Sequence, residues 1–388
     1  MNPSENDTSI KNTLKNDIPD PHADNIYENF PLEAIYFYIT GSCNLKCRHC
    51  WIDPRYVKKT EDSDFLPFQT IRSIIEQAIP LGLSSVKLTG GEPLLNPDIS
   101  KILEYLQQTS IRVAIETNGT LLTQEIANKI AECNGPFVSV SLDGCTAETH
   151  EWVRGVPGCF NSTLEGLQNL QDAGVKPQLI FTLMRRNMDE VFHFIDFAKK
   201  LEVGSVKVNI LEPTSRGKKM HDLGERLGIG EYIAIGEKIE LINASDNSFP
   251  IYYSHPIAFR PLSQMFSSGG CGCSICGIHG IIGVLCDGSY ALCGVGSTEP
   301  ELSFGKSDNI NLKEIWSSHP ILNEIRKGLP NLLEGVCAVC GMKKLCLGSC
   351  IAQNYVKNRS LWAPNWYCDA AFNEDLFPSS RLFPGNRR

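Results

Sequence analysis

A chain of 388 residues with 42% apolar side chains can fill one large domain of ~250 residues and a smaller one appended to it. Its formal net charge of −8 leaves no bulk basic surface to neutralise a phosphate backbone, so nucleic acid is not expected as a partner. No apolar run reaches the ~20 residues that cross a bilayer, and the polar start Met1–Asp20 has no charged head ahead of an apolar core; no membrane contact and a cytoplasmic location are therefore expected.

In chain order, residues 1–30 read as a flexible polar segment. Residues 31–247 alternate short β-branched runs with longer amphipathic stretches, the pattern of βα units around a parallel sheet. Six strands are expected, at Ile35–Thr40, Ser85–Thr89, Arg112–Glu116, Phe137–Ser141, Gln178–Leu183 and Ser205–Ile210. Between them the helical spacing predicts Pro67–Ala78, Asp98–Gln107, Gln124–Glu132, Thr163–Ala173 and Asp189–Lys200. Six units fall short of a closed eight-strand barrel, so the expected fold is α/β, a partial TIM-like (β/α)6 barrel with its chemistry on loops at the C-terminal ends of the strands. The unusual clusters lie there: Cys43, Cys47 and Cys50 after strand one, Gly90, Gly91, Glu92 and Pro93 after strand two, Asn118 and Gly119 after strand three, Asp143 and Gly144 after strand four. Residues 248–370 turn to glycine, cysteine and short loops, with one helix predicted over Leu312–Lys327, and read as a second, cysteine-rich domain. Residues 371–388 form a tail without a fold signal.

Most of the sixteen cysteines are bunched at 43–50, 271–293 and 337–368 in C-x-x-C and C-x-x-x-C spacings. Without an export signal, ligation of metal is expected over disulfides. Cys43, Cys47 and Cys50 place three thiolates on one loop, enough for three corners of a cubane and leaving one iron open. A zinc loop borrowing His49 has the same spacing. The segment from Cys43 to Trp51 resembles the C-x-x-x-C-x-x-C loop of the radical S-adenosylmethionine superfamily, and Thr89-Gly90-Gly91-Glu92-Pro93 resembles its next motif. The resemblance implies that the open iron chelates the amino and carboxylate groups of the methionine moiety, with Gly90, Gly91, Glu92 and Pro93 binding the amino group. Adjacent glycines let a backbone approach a ligand, and a carboxylate can accept from ammonium. It further implies Ser141 at the ribose and Arg154 at the methionine carboxylate. For Asn118 it leaves either a ligand role or a turn role beside Gly119.

The run Cys337-x2-Cys340-x5-Cys346-x3-Cys350-x17-Cys368, with Cys276-x11-Gly288-x4-Cys293 upstream, resembles the SPASM module that carries two auxiliary iron-sulfur clusters. By that resemblance one cluster takes Cys337, Cys340, Cys346 and Cys368. The other takes Cys276, Cys293, Cys350 and either Cys271 or Cys273, with Cys271 preferred for the room it leaves around a cubane. A pair of four-cysteine zinc sites shares this spacing. Cys133, Cys145, Cys159 and Cys286 are left as small packing residues.

Three [4Fe-4S] clusters and S-adenosylmethionine are thus the expected cofactors. The resemblance implies reductive cleavage to methionine and a 5′-deoxyadenosyl radical, which takes a hydrogen atom from the substrate, with reduced flavodoxin or ferredoxin as electron donor. The expected substrate is a peptide or protein modified at a side chain, by a thioether or carbon–carbon crosslink or a related oxidation. A leader-binding module has no room before Pro31, so a separate leader-recognition protein or direct recognition is expected. Sulfatase-maturating relatives carry an aspartate after the cysteine matching Cys293, where this chain has Gly294, which argues against formylglycine formation. Two other readings remain: an enzyme acting on a tetrapyrrole side chain, and a non-catalytic electron carrier.

Overall fold

The computed structural model describes residues 29–265 and 276–385. The described residues form a ten-stranded sheet. Its strands are β1 (Ala34–Thr40), β2 (Ser85–Gly90), β3 (Arg112–Thr117), β4 (Phe137–Ser141), β5 (Gln178–Leu183), β6 (Ser205–Ile210), β7 (Ile251–Tyr253), β8 (Ile281–Val284), β9 (Ser289–Ala291) and β10 (Ser303–Lys306). In space they run β10-β9-β8-β1-β2-β3-β4-β5-β6-β7. Every neighbouring pair from β8 to β7 is parallel, and only β9 and β10 are antiparallel.

The six expected strands are present to within a residue at each end. Alternation explains them: Val86 and Leu88, Val113 and Ile115, Val138 and Val140, Leu179 and Phe181, and Val206 and Val208 all enter the main core. Their neighbours in each strand therefore face the opposite side, the barrel lumen. Helices α1 (Phe68–Ala78), α2 (Ile99–Gln107), α3 (Gln124–Ala131), α4 (Ala147–Arg154), α5 (Cys159–Asp172) and α6 (Val191–Lys200) cover the outside. Helix α4 lay outside the predicted set, although Thr146 caps it by accepting from the Thr149 amide at 3.4 Å and Gly155 ends it at φ +73°.

Strands from beyond Ser248 share this sheet. Ile281–Val284 pairs in parallel with β1 and Ile251–Tyr253 with β6, so the expected boundary between 247 and 248 separates two compositions while the backbone ladder runs across it. The predicted helix over Leu312–Lys327 is a correction: two helices form, Leu312–Ser318 and Pro320–Gly328. Pro320 has no amide hydrogen and holds His319 extended at φ −62°, ψ 128°, which ends the first helix. Within the tail, Phe383 donates its amide to the Val339 carbonyl at 3.0 Å, and Gly341 to that of Arg381 at 2.7 Å, so residues up to 385 fold back over the Cys337–Cys340 turn.

Candidate active site

The cysteine loop leaves β1 through Ser42 and is stitched to the loop after β2. Gly91 donates to the Thr40 carbonyl at 3.0 Å and Glu92 to that of Ser42 at 2.9 Å, while the Thr40 hydroxyl donates to the Glu92 carbonyl at 2.9 Å. The approach is close enough to demand glycine: a Cβ on Gly91 would stand 2.0 Å from the Ser42 carbonyl oxygen, and Gly90 has φ +134°. The Glu92 carboxylate is wholly buried. It accepts from the Leu94 amide at 3.1 Å, the Thr117 hydroxyl at 2.7 Å and the Asn118 amide at 2.8 Å. Burial nevertheless outweighs those donors and pushes its carboxyl up to about 7. Its oxygens thus tie the ends of β2 and β3 together, and Pro93, also buried, opens the short turn that follows.

Asn118 donates to Asn44 at 2.8 Å and stands 3.9 Å from the Cys43 sulfur, while its oxygen accepts from the Thr120 amide at 2.9 Å. It therefore makes a turn and reaches the cysteine loop at once. Cys43 and Cys47 are buried together with Leu45 and Cys159, with Cys50 packed alongside. Burial and the neighbouring thiols push Cys43 far above the ordinary thiol range and raise Cys50 as well. Three thiols packed together on one loop, two of them buried, form a donor set that an iron-sulfur core fits.

Helix α4 supplies Arg154. It pairs with the fully buried Asp143 at 2.7 Å and directs a second nitrogen to the Cys47 sulfur at 3.6 Å. Its backbone carbonyl also holds the Lys46 amide at 3.0 Å. For Asp143, burial alone would raise the carboxyl, but Arg154 outweighs it and holds the group below its usual range. Burial depresses His49 to about 4 and His150 to about 3, so both rings are neutral. His150 accepts the Asp143 amide at 3.1 Å, and His49 lies in the fields of Asp143 and Arg154. Arg216 closes the loop from β6: it donates to the Cys47 carbonyl at 3.3 Å and the Pro54 carbonyl at 2.9 Å, and pairs with Asp53. Ser141 ends β4, half-buried on the lumen face.

The lumen itself is charged, which the reading of motifs did not anticipate; polar residues at alternate positions of apolar strands were the available signal. Lys87 and Glu116 pair at 2.9 Å and keep 25% and 37% of their side-chain surface. Lys87 also lies 4.3 Å from the Tyr36 ring centre. Burial would raise Glu116, yet Lys87 and Lys207 outweigh it and lower its carboxyl.

The C-terminal cysteines gather in two groups. Cys337, Cys340, Cys346 and Cys368 line one pocket with Ile257, Leu333 and Phe377. Burial pushes Cys337 up to about 12 and Cys346 up to about 11. Four thiols on one pocket are the donor set of a four-cysteine site. Cys276 and Cys293 lie in each other's field and in that of Cys350, beside Lys87 and Tyr36. Cys271 and Cys273 lie outside the described residues. Cys133 and Cys159 are buried, while Cys145 and Cys286 are half-buried. Cys159 packs against Cys43 and Cys47, closer to the chemistry than its isolation in sequence suggested.

A large parallel half-barrel, a three-thiol loop at its C-terminal mouth and a glycine pair pressed against that loop define a class, and the chain belongs to the radical S-adenosylmethionine superfamily. The family model for the Radical SAM superfamily matches residues 37–198. The chain is 30% identical to the AdoMet-dependent heme synthase of Methanosarcina barkeri, over 86% of this chain and 95% of that protein. It is 26% identical to the mycofactocin maturase MftC of Mycobacterium tuberculosis, over 90% and 86%. Among solved structures, Streptococcus suis SuiB bound to precursor peptide SuiA shares the fold with a TM-score of 0.68 at 17% identity, over 94% of this chain and 84% of that one. The enzyme anSMEcpe with bound AdoMet shares it with a TM-score of 0.67 at 20% identity, over 89% and 98%.

Proposed function

We propose that this radical S-adenosylmethionine enzyme modifies a side chain of a peptide or protein, with Cys43, Cys47 and Cys50 holding the catalytic cluster and two auxiliary clusters behind the lumen. The observations that carry the reading are the three-thiol loop stitched to the Gly90–Gly91 loop and the Cys276, Cys293 and Cys350 group lying in one another's fields beside Lys87. When bound, the catalytic cluster supplies the electron that cleaves S-adenosylmethionine and so provides the hydrogen-abstracting radical. The chain's own part is positional. Gly90 and Gly91 bring backbone against the loop, Glu92 holds the β2 and β3 ends in register, and the Asp143–Arg154 pair fixes the backbone at Lys46. Arg154, expected at the methionine carboxylate, is instead paired with Asp143 and points its second nitrogen to the Cys47 sulfur, and Ser141 faces the lumen for the ribose.

Cys337, Cys340, Cys346 and Cys368 are assigned to one auxiliary cluster because all four line the same pocket and four thiolates are the ligand set of such a cluster. Cys276, Cys293 and Cys350, completed by Cys271 or Cys273, are assigned to the other. A base at position 294 has no place: a Cβ on Gly294 would lie 2.2 Å from the Tyr38 ring, so Tyr38 fills the space an aspartate would need. Formylglycine formation is therefore not proposed. The peptide reading is supported by the maturase relative and by the fold shared with an enzyme that binds a precursor peptide. A second reading, action on a tetrapyrrole, is favoured by the 30% identity to a haem synthase. An electron carrier has no use for a three-thiol loop.

Anaerobic reconstitution tests this. About twelve irons per chain are expected, about four of them lost with all 5′-deoxyadenosine formation in a Cys43/Cys47/Cys50 triple alanine variant. Near four irons, or zinc at the C-terminal cysteines, would overturn the auxiliary assignment. Titration with an iron porphyrin separates the substrate readings: a saturable shift of its absorption band would favour the tetrapyrrole.

A further inference from the structure

We propose that the barrel lumen contains a carboxylate-binding subsite formed by Lys207 and Asn209 on β6, on the same face of the sheet as the Lys87–Glu116 pair, which anchors an acidic group of the substrate. The inference rests on the radical-enzyme reading and specifies what the substrate must carry. Val206, Val208 and Ile210 enter the helix-side core, so Lys207 and Asn209 occupy the lumen face of the same strand. The charges agree. Val113 and Ile115 likewise put Glu116 on the lumen face of β3, three places from β6 in the sheet, and Glu116 lies in the field of Lys207.

Two ammonium groups share one carboxylate there. Lys87 uses Glu116 directly at 2.9 Å, whereas among the described residues no ion pair or hydrogen bond engages Lys207. Asn209 is oriented by the Ser254 hydroxyl, which donates to its oxygen at 2.8 Å and leaves its amide hydrogens for a ligand. One unmatched positive charge beside one fixed amide donor, within walls of protein, attracts an anion strongly. The chemistry selects a carboxylate over a phosphate: the strand amides are held in the ladder, no arginine faces this strand pair among the described lumen positions, and the excess charge is single.

The depth of the subsite has a consequence for the substrate. Lys207 stands three residues before the end of β6, roughly 10 Å below the mouth at ~3.3 Å per residue. At that mouth Arg216 donates its amide to the Cys50 carbonyl at 3.2 Å. A substrate held by its carboxylate at Lys207 therefore presents a carbon several bonds away to the radical chemistry above, and the anchor sets which carbon that is.

The test uses the reconstituted full chain and two acid–amide pairs read by saturation-transfer NMR: 3-phenylpropionate with its amide, and a short peptide with a free C-terminus with its C-terminal amide. At least one acid is expected to bind about ten-fold more tightly than its amide, a preference lost in Lys207→Met and strengthened in Glu116→Gln, which removes the competing carboxylate. Preference for the small acid alone assigns the group to a small molecule; preference for the peptide acid assigns it to a chain terminus or acidic side chain. Equal binding of acid and amide, or a preference that survives Lys207→Met, overturns the subsite. Should Lys207→Met fail to fold, as judged by circular dichroism, Glu116→Gln decides: no gain in acid affinity refutes the proposal. Formation of 5′-deoxyadenosine by the unaltered protein is measured separately, so failure of the radical reading shows independently of the carboxylate result.

Discussion

Gly91 sits where the loop after β2 touches the cysteine loop, and the distance that a Cβ would have from the Ser42 carbonyl, 2.0 Å, leaves no low-cost accommodation. Gly91→Ala must shift Ser42 and with it Cys43. The expected outcome is loss of about four irons per reconstituted chain while the C-terminal cysteines keep theirs, measured by iron and sulfide assay. Arg154 and Asp143 form the deepest ion pair beside that loop, with 8% and 0% of side-chain surface left. Removing one partner strands a buried charge, so Arg154→Met is expected to cost about 3–5 kcal/mol in urea unfolding. The double change to Met and Asn should recover part of that loss. Recovery would show that the single variant fails through the stranded carboxylate; additive losses would contradict the pairing. The family resemblance singles out Arg154 for a ligand carboxylate, and nothing in the sequence names Asp143 as its partner, because the two meet only when α4 folds back over the end of β4.

The edges of the sheet carry the next lesson. β1 pairs with β2 on one side and with β8 on the other, and β8 comes from the cysteine-rich segment. A chain stopped at residue 247 would expose an apolar edge on β1 and another on β6, where Ile251–Tyr253 otherwise adds a strand. Such a fragment is expected to aggregate, as read by size-exclusion chromatography; a soluble, melting monomer would show that the half-barrel stands alone. Trp316 adds a tie from the same segment, its indole donating to the Phe30 carbonyl at 3.0 Å. Composition alone divides the chain at 248, since ladder partners distant in sequence leave no periodic trace. The helix break at Pro320 was, by contrast, legible, and the pattern of apolar residues on both sides masked it.

Across the whole molecule, buried titratable groups pull stability in opposite directions with pH. Burial holds His150 at about 3 and pushes Glu212 up to about 7. His150 is depressed below its unfolded value near 6.5, so its contribution is present above that value and lost as pH falls. Glu212 is raised above its unfolded value near 4.5, so its contribution is present below that value and lost as pH rises through about 7. Between pH 7 and pH 5 the two oppose each other by about 2 kcal/mol each. His150→Gln should therefore raise stability at pH 5 relative to pH 7 by about that amount, and Glu212→Gln should lower it, both read from urea midpoints. Identical slopes in both variants would contradict the burial of these groups.

The sequence by itself determined the six strands of the half-barrel and the position of the three-thiol loop after the first of them, because each depends on local periodicity or on residues close in the chain. Only the tertiary structure decided that the cysteine-rich segment completes the sheet, that Cys337, Cys340, Cys346 and Cys368 line one pocket, and that Glu92 ties two strand ends. It alone put Lys207 and Glu116 in one another's field on the lumen side of the sheet. The physical reason is that ladder pairing with strands from the cysteine-rich segment and the satisfaction of buried charge are relations between segments distant in sequence, and the chain acquires them only when the sheet assembles.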